Sequence, residues 1–226
     1  VVQGVVANGG SGPAAQAGTL DFGIVHAGDV VTRSVDIANV AQKAGLNDTV
    51  WGAVTAISNG FTATVPTLSK AGVAAGQQSS ELTLAIDTSK AGVVNGGTVA
   101  LGLFGRNPDL ADVHLGDAAL TLKGTVNNHA TLALANPELG HLDPSPGGYT
   151  LKLGTLTEGK GAVLIVLDIL NTALGAADTL NVLSLTGPNA LSPLTMVGGG
   201  SLAAGEVAAR GLRFALPSLA PGAFSY

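Results

Sequence analysis

Residues 20–39 read LDFGIVHAGDVVTRSVDIAN, and residues 151–171 read LKLGTLTEGKGAVLIVLDILN. Set side by side, Gly23 falls on Gly154 and Gly28 on Gly159. After one inserted residue, VDIAN at 35–39 falls on LDILN at 167–171, and Asp48-Thr49-Val50 falls on Asp178-Thr179-Leu180. Both copies run short strand, glycine, tight turn, long strand, asparagine, loop, next strand. Chance agreement of isolated dipeptides does not reproduce an order, so the chain reads as two diverged copies of one unit.

The unit is made of strands. Thr32–Ala38 alternates small or polar residues with apolar ones, as a half-buried strand does. Glu81–Asp87 alternates in the same way, with Leu82, Leu84 and Ile86 on one face. Asn95-Gly96-Gly97 reads as a turn before the strand Thr98–Phe104, because asparagine and glycine tolerate positive φ. Ala119–Val126 closes the first unit, and GAVLIVLDIL at 161–170 is a buried strand interrupted by Asp168. No window carries a 3.6-residue period, so helices should be few. The boundary falls at Asn127-Asn128-His129. The segment Asn136–Gly148, with Pro137, Pro144 and Pro146, is expected as an ordered connection or tether and not as a central strand, since proline cannot donate to a ladder.

Composition sets limits on function. A chain of 226 residues holds two domains of about 100 residues each. Charged residues make up 11%, against about 25% in ordinary soluble proteins, so few charges keep neighbouring molecules apart. Such a surface suits assembly or a crowded extracellular matrix. A net charge of −5 with ten Lys and Arg argues against a nucleic-acid partner, because phosphate binding needs clustered cations. The absence of cysteine excludes disulfides, thiolate metal sites and a cysteine nucleophile. No apolar run approaches the roughly 18 residues a spanning helix needs. The first residue is Val and no signal peptide is visible, as in a processed mature protein or a fragment.

The stretch LDFGIVHAGDVVTRSVDIAN resembles the opening of the bacterial choice-of-anchor D type domains, relatives of the ASPM–SPD-2–Hydin group of immunoglobulin-like modules. Leu20, Phe22, Gly23, Gly28 and Asn39 carry the likeness in the first copy; Leu151, Leu153, Gly154, Gly159 and Asn171 carry it in the second. The second copy departs in having Leu153 where the first has phenylalanine, and in stopping early. The resemblance implies an all-β chain of two tandem immunoglobulin-like β-sandwiches of about seven strands each, over 1–127 and 128–226. It also implies a secreted, cell-surface setting and no catalysis.

LRFALPS at 212–218 matches LTLAIDT at 82–88, and GAFSY at 222–226 matches the start of GTVALGL at 97–103. On that alignment the second sandwich lacks its last strand, which would leave an unpaired edge and an open apolar groove. The first six residues, Val1-Val2-Gln3-Gly4-Val5-Val6, look like a surplus copy of the closing strand TLKGTV at 121–126. Three readings follow. The segment fills the groove of another molecule's second unit, as donated strands do; it finishes a preceding repeat of a longer array; or it pairs within its own molecule. Under the first, Val2, Val5 and Val6 are the apolar plugs, Leu164, Val166, Ile169, Phe214 and Phe224 the groove walls, and the partner is the protein itself, joined head to tail in a polymer.

Other chemistry finds little support. His26, His114, His129 and His141 share no zinc-binding spacing and fall in expected turns or loops. Asp109, Asp112 and Asp117 group in one loop as hard-oxygen ligands for calcium, without the spacing of an EF-hand. No serine elbow and no carboxylate pair suggests a hydrolase, and the glycine runs at 9–12 and 198–201 lack the lysine of a phosphate loop. Trp51 and Tyr149 are single aromatics that could stack on a sugar ring or serve as packing residues. The expectation is a non-catalytic structural subunit of a bacterial fibre, sheath or surface layer, without a cofactor. The competing class is a tandem spacer or adhesin segment that binds a glycan or surface protein.

Overall fold

The computed structural model describes residues 5–7, 13–14, 18–41, 47–157, 161–182, 192–196, 200–216 and 222, with 5–7, 13–14 and 192–196 described by backbone alone. The chain is all-β, with no helix among the described residues. It divides into two compact units, Val1–Asn127 and Asn128–Tyr226.

Unit 1 holds β1 (Val5–Ala7), β2 (Pro13–Ala14), β3 (Gly18–His26), β4 (Thr32–Asn39), β5 (Thr49–Ile57), β6 (Phe61–Val65), β7 (Gln78–Ile86), β8 (Gly92–Arg106) and β9 (Val113–Asn127). They form two sheets, ordered β2-β1-β4-β7-β6 and β3-β9-β8-β5. Neighbours are antiparallel except β1/β4 and β3/β9, which are parallel. The alternation seen in the sequence buries one face of each sheet: Leu82, Leu84 and Ile86 are 0–5% exposed on β7, as are Leu120, Leu122 and Val126 on β9. These residues belong to a single core cluster that also takes in Leu20, Phe22, Val35, Ile37 and Leu101. The two layers meet closely. Phe22 and Phe61, from different sheets, lie 5.5 Å apart between ring centroids. A Cβ on Gly124 of β9 would come 2.6 Å from Ile86 Cδ1 and 3.1 Å from Phe22 Cβ, so a side chain there would force Ile86 to shift.

Asn95-Gly96-Gly97 does not turn the chain. β8 runs straight through it with a bulge against β9 between Val94 and Gly97. Gly96, at φ +73°, supplies the bulge conformation, and the Phe61 ring fills the space a Gly97 side chain would need, 2.5 Å from its Cβ position. The expected aspartate loop is also shorter than the sequence suggested, because β9 begins at Val113 and includes Asp117.

Unit 2 holds β10 (Leu132–Ala135), β11 (His141–Ser145), β12 (Gly148–Lys152), β13 (Val163–Asn171), β14 (Leu180–Asn181), β15 (Ser192–Met196), β16 (Ser201–Leu202) and β17 (Val207–Leu216). One four-stranded sheet has the order β10-β13-β17-β15, and β11-β12 and β14-β16 are separate two-stranded ladders. The proline-rich segment is thus no plain loop: Pro144 lies in β11, in a two-stranded ladder where no central hydrogen bond is asked of it.

The repeat extends to register and side chains. Val35 pairs with Leu82 and Leu167 with Leu212, each just before a bulge, between Val35 and Ile37 and between Leu167 and Ile169. The bridge Val50↔Val73 has its counterpart in Leu180↔Leu202. Asn39 and Asn171 are 1% and 0% exposed. The Asn39 amide donates to the carbonyls of Asp48 and Val73 at 3.1 and 3.0 Å, and that of Asn171 to Asp178 and Leu202, both at 3.0 Å. The backbone of each is held by equivalent bonds, Gly76 and Gly205 donating to it and Gln77 and Glu206 accepting from it. A buried asparagine fixes the crossing of three chain segments in both copies, which is why it ends both long strands.

Where the units differ is the second layer. Among the described residues unit 2 has no counterpart of β8 or β9. Its core cluster holds five buried residues, Ile165, Leu167, Ile169, Leu212 and Leu216, against nineteen in unit 1, so much of its apolar surface is only partly covered.

Candidate assembly site

The incompletely covered surface starts with Leu151, Leu153 and Leu156, which occupy the repeat positions of Leu20, Phe22 and Val25. In unit 1 those three are 2–7% exposed, on a strand paired along its edge with β9. In unit 2 all three pack against the core cluster yet remain half-buried. Gly154 has φ +71°, close to the +74° of Gly23, the glycine at the β3 bulge that matches β9. Unit 2 therefore carries the same bulge conformation beside a position where it has no described strand.

The free edge can be identified from hydrogen-bond phase. In an antiparallel ladder, hydrogen-bonded and non-bonded pairs alternate. Ser145↔Gly148 closes the two-residue turn of the β11–β12 hairpin, so Gly148, Thr150 and Lys152 exchange bonds with β11. Pro144, with no N–H, stands opposite Tyr149 in a non-bonded pair. Leu151 is therefore a residue whose N–H and C=O point to the opposite edge. In unit 1 the N–H of Ala27, in phase with inward-facing Val25, donates to Asn127 of β9 at 2.8 Å. The inward-facing residues of β3 thus address β9, and the corresponding edge of β12 is the one β11 leaves open.

The expected groove walls divide. Ile169 and Phe214 face the core cluster of unit 2. Leu164 and Val166 lie on the reverse face of β13, because strand alternation sets them out of step with Ile165, Leu167 and Ile169; Leu164 is 55% exposed and Val166 1%. Phe224 lies outside the described residues. Leu151, Leu153 and Leu156 were missed as wall residues, although the alignment with Leu20, Phe22 and Val25 carried the signal.

Of the first six residues, Val1, Val2, Gln3 and Gly4 lie outside the described residues. Val5–Ala7 forms β1 at an edge of its own unit, parallel to β4 with Val5 opposite Ile37 and Ala7 opposite Asn39. That pairing spans three residues, and β1's other neighbour, β2, adds two more pairs.

Asp109, Asp112 and Asp117 do not gather into one ligand group among the described residues. Asp112 takes a bidentate pair from Arg106, at 2.8 and 2.5 Å, and the guanidinium holds its carboxyl below the usual range. Asp117 meets His114 Nε2 at 3.0 Å, and the Asp109 N–H donates to Asn107 Oδ1. His114 lies within β9, His26 ends β3 near Asp29 and His141 opens β11 beside Asp143, so these three sit on strands and not in loops. Trp51 stacks on Phe104 at 4.6 Å, with the Arg106 guanidinium over its ring at 5.0 Å and His114 tilted against Phe104. Its indole is occupied by these neighbours. Its Nε1 is buried without a hydrogen-bond partner, though near enough to Asp112 to help lower that carboxyl. Tyr149 is exposed on β12.

No helix among the described residues is long and apolar enough to cross a membrane. Comparison with known proteins returned no matching family model, no matching curated protein and no matching solved structure.

Proposed function

We propose that the protein is a non-catalytic structural subunit of an extracellular bacterial fibre, sheath or surface layer, assembled head to tail by strands passed between copies. The observation that carries this reading is the half-buried row Leu151, Leu153 and Leu156 beside a strand edge without a partner among the described residues, at repeat positions that β9 pairs beside in unit 1. A partly covered apolar row next to a strand edge that has no partner among the described residues favours strand addition. The first six residues repeat the pattern of Thr121–Val126, in the strand that pairs beside this row in unit 1. Among the described residues, Val5 and Val6 pair with Ile37 and Ala38 of β4, and Val6 with Ala14 of β2, a short ladder to leave.

Tandem immunoglobulin-like modules fit the strand order. In unit 1 the layers β4-β7-β6 and β3-β9-β8-β5 have the succession that such sandwiches use, with the first long strand parallel to the last. The low charge supports close packing of subunit faces.

Size-exclusion chromatography with light scattering tests the proposal on the full chain and on a chain lacking residues 1–6. The full chain should elute at several times its 22.1 kDa mass, and the shortened chain as a monomer. A full chain that stays monomeric across the accessible concentration range refutes the assembly.

A further inference from the structure

Resting on that reading, we infer that the acceptor for a second copy's first six residues is the open edge of β12 and its continuation to Leu156. The strand enters parallel to β12, with Val2 opposite Leu151 and Val6 opposite Leu156. The register comes from unit 1, where Leu20 pairs with Leu122 and Val25 with Val126. Leu20 and Val25 correspond to Leu151 and Leu156, and Leu122 and Val126 to Val2 and Val6.

Three observations converge on this register. Gly4 falls on Gly124, the residue of β9 where a side chain would run into Ile86 and Phe22. The counterparts of those two residues in unit 2 are Leu216 and Leu153, both of the core or packed on it. Gln3 falls on Lys123, which lies on the outer face and reaches Asp21 at 3.0 Å; the residue at the place of Asp21 is Lys152, also exposed. Lastly, the bulge conformation at Gly154 is the one that lets β3 stay in step with β9. Val2, Gly4 and Val6 then face inward. Val5, which the sequence offered as a plug, takes the outward place of Thr125.

A chain with no cysteine allows a direct test by disulfide trapping. Gln3→Cys and Lys152→Cys stand opposite each other in this register, and parallel neighbours are separated by about 4.8 Å, inside the range a disulfide spans. Under mild oxidation the Gln3→Cys/Lys152→Cys chain should give a ladder of covalent oligomers on a non-reducing gel. Gln3→Cys/Thr150→Cys, two residues out of register on the same face, should give at least tenfold less. Gly4→Val should abolish the ladder when added to the matched pair. Oligomers by light scattering without the matched cross-link, or with the offset one in equal yield, overturn the register and leave head-to-tail assembly standing. A cross-linked monomer overturns the second copy as occupant. A chain that is monomeric by light scattering overturns both.

Discussion

Replacing Asn171 by alanine should destabilise unit 2 while leaving unit 1 intact, and the size of the effect follows from four hydrogen bonds. The Asn171 amide donates to the carbonyls of Asp178 and Leu202, and its Oδ1 accepts from the N–H groups of Thr131 and Ala173 at 3.0 and 3.2 Å. Each such bond contributes about 0.5–1.5 kcal/mol net, and a buried backbone group left unpaired costs about 1–3 kcal/mol. Water can reach the partly buried partners after truncation, so the loss should be about 3–4 kcal/mol. A domain is typically stable by about 5–15 kcal/mol, so a loss of this size removes a large part of the margin of unit 2. With a urea slope of about 1–2 kcal/mol per molar, the midpoint of the unit 2 transition falls by about 2 M. Far-UV circular dichroism follows both units, whereas the single tryptophan, Trp51, reports unit 1 alone. Asn171→Asp keeps the shape but loses both donors and sets a negative charge against two carbonyl oxygens, so it should be at least as damaging at neutral pH. A midpoint shift below about 0.5 M in the alanine variant, or a matching shift in the tryptophan signal, would refute the reasoning.

Two further outcomes follow from the same geometry. Gly124→Ala drives a methyl into Ile86 Cδ1 and should cost unit 1 about 1–3 kcal/mol; Ile86→Val removes that atom, so the double variant should be more stable than the two losses added together, as a double-mutant cycle measures by tryptophan-detected unfolding. Asp168 is held below the ordinary carboxyl value of 3.8, first by the Arg210 N–H it accepts at 2.7 Å and then by the Asn136 amide at 2.8 Å, with the Arg210 charge adding to these. A carboxyl depressed in the folded state gives stability that is present above its unfolded pKa and lost as pH falls through its folded one. Asp168→Asn should therefore flatten the acid limb of unit 2 stability below about pH 4, read from urea midpoints at pH 2.5 to 5, and an unchanged limb would count against the carboxylate.

Much of the architecture could be read from residue order because the strands that matter are amphipathic and their ends are chemically marked. Asn39 and Asn171 were visible as matched letters; that they are buried crossing points needed three dimensions, since their partners lie as far as 34 and 31 residues away. Glycine was the ambiguous sign. Gly96 has the positive φ of a turn residue, but the same φ serves a bulge within an unbroken β8, and sequence does not distinguish them. The groove walls failed on parity: Leu164 and Val166 are apolar like Ile169, yet alternation sends them to the other side of β13. The three aspartates were close in sequence, but the carboxylates of Asp112 and Asp117 have separate partners in Arg106 and His114, and Asp109 is tied into the Asn107 turn through its backbone N–H. Pairing of Val5–Ala7 within its own molecule was among the three readings of the sequence, but β4 as its neighbour was not, because a three-residue strand carries too little pattern to choose one.

The parallel ladder between β3 and β9 has a mechanical consequence. The chain enters the ladder at Gly18 and leaves it at Asn127, and because the two strands run the same way, those points lie at its opposite ends. Tension on the chain drags the strands past each other lengthwise, so the backbone bonds between Gly18 and His26 on one side and Leu120 and Asn127 on the other resist together. An antiparallel closure would bring entry and exit to the same end, where the bonds tear one after another. In the filament proposed above, a stretched subunit would be loaded in the direction that this ladder withstands best.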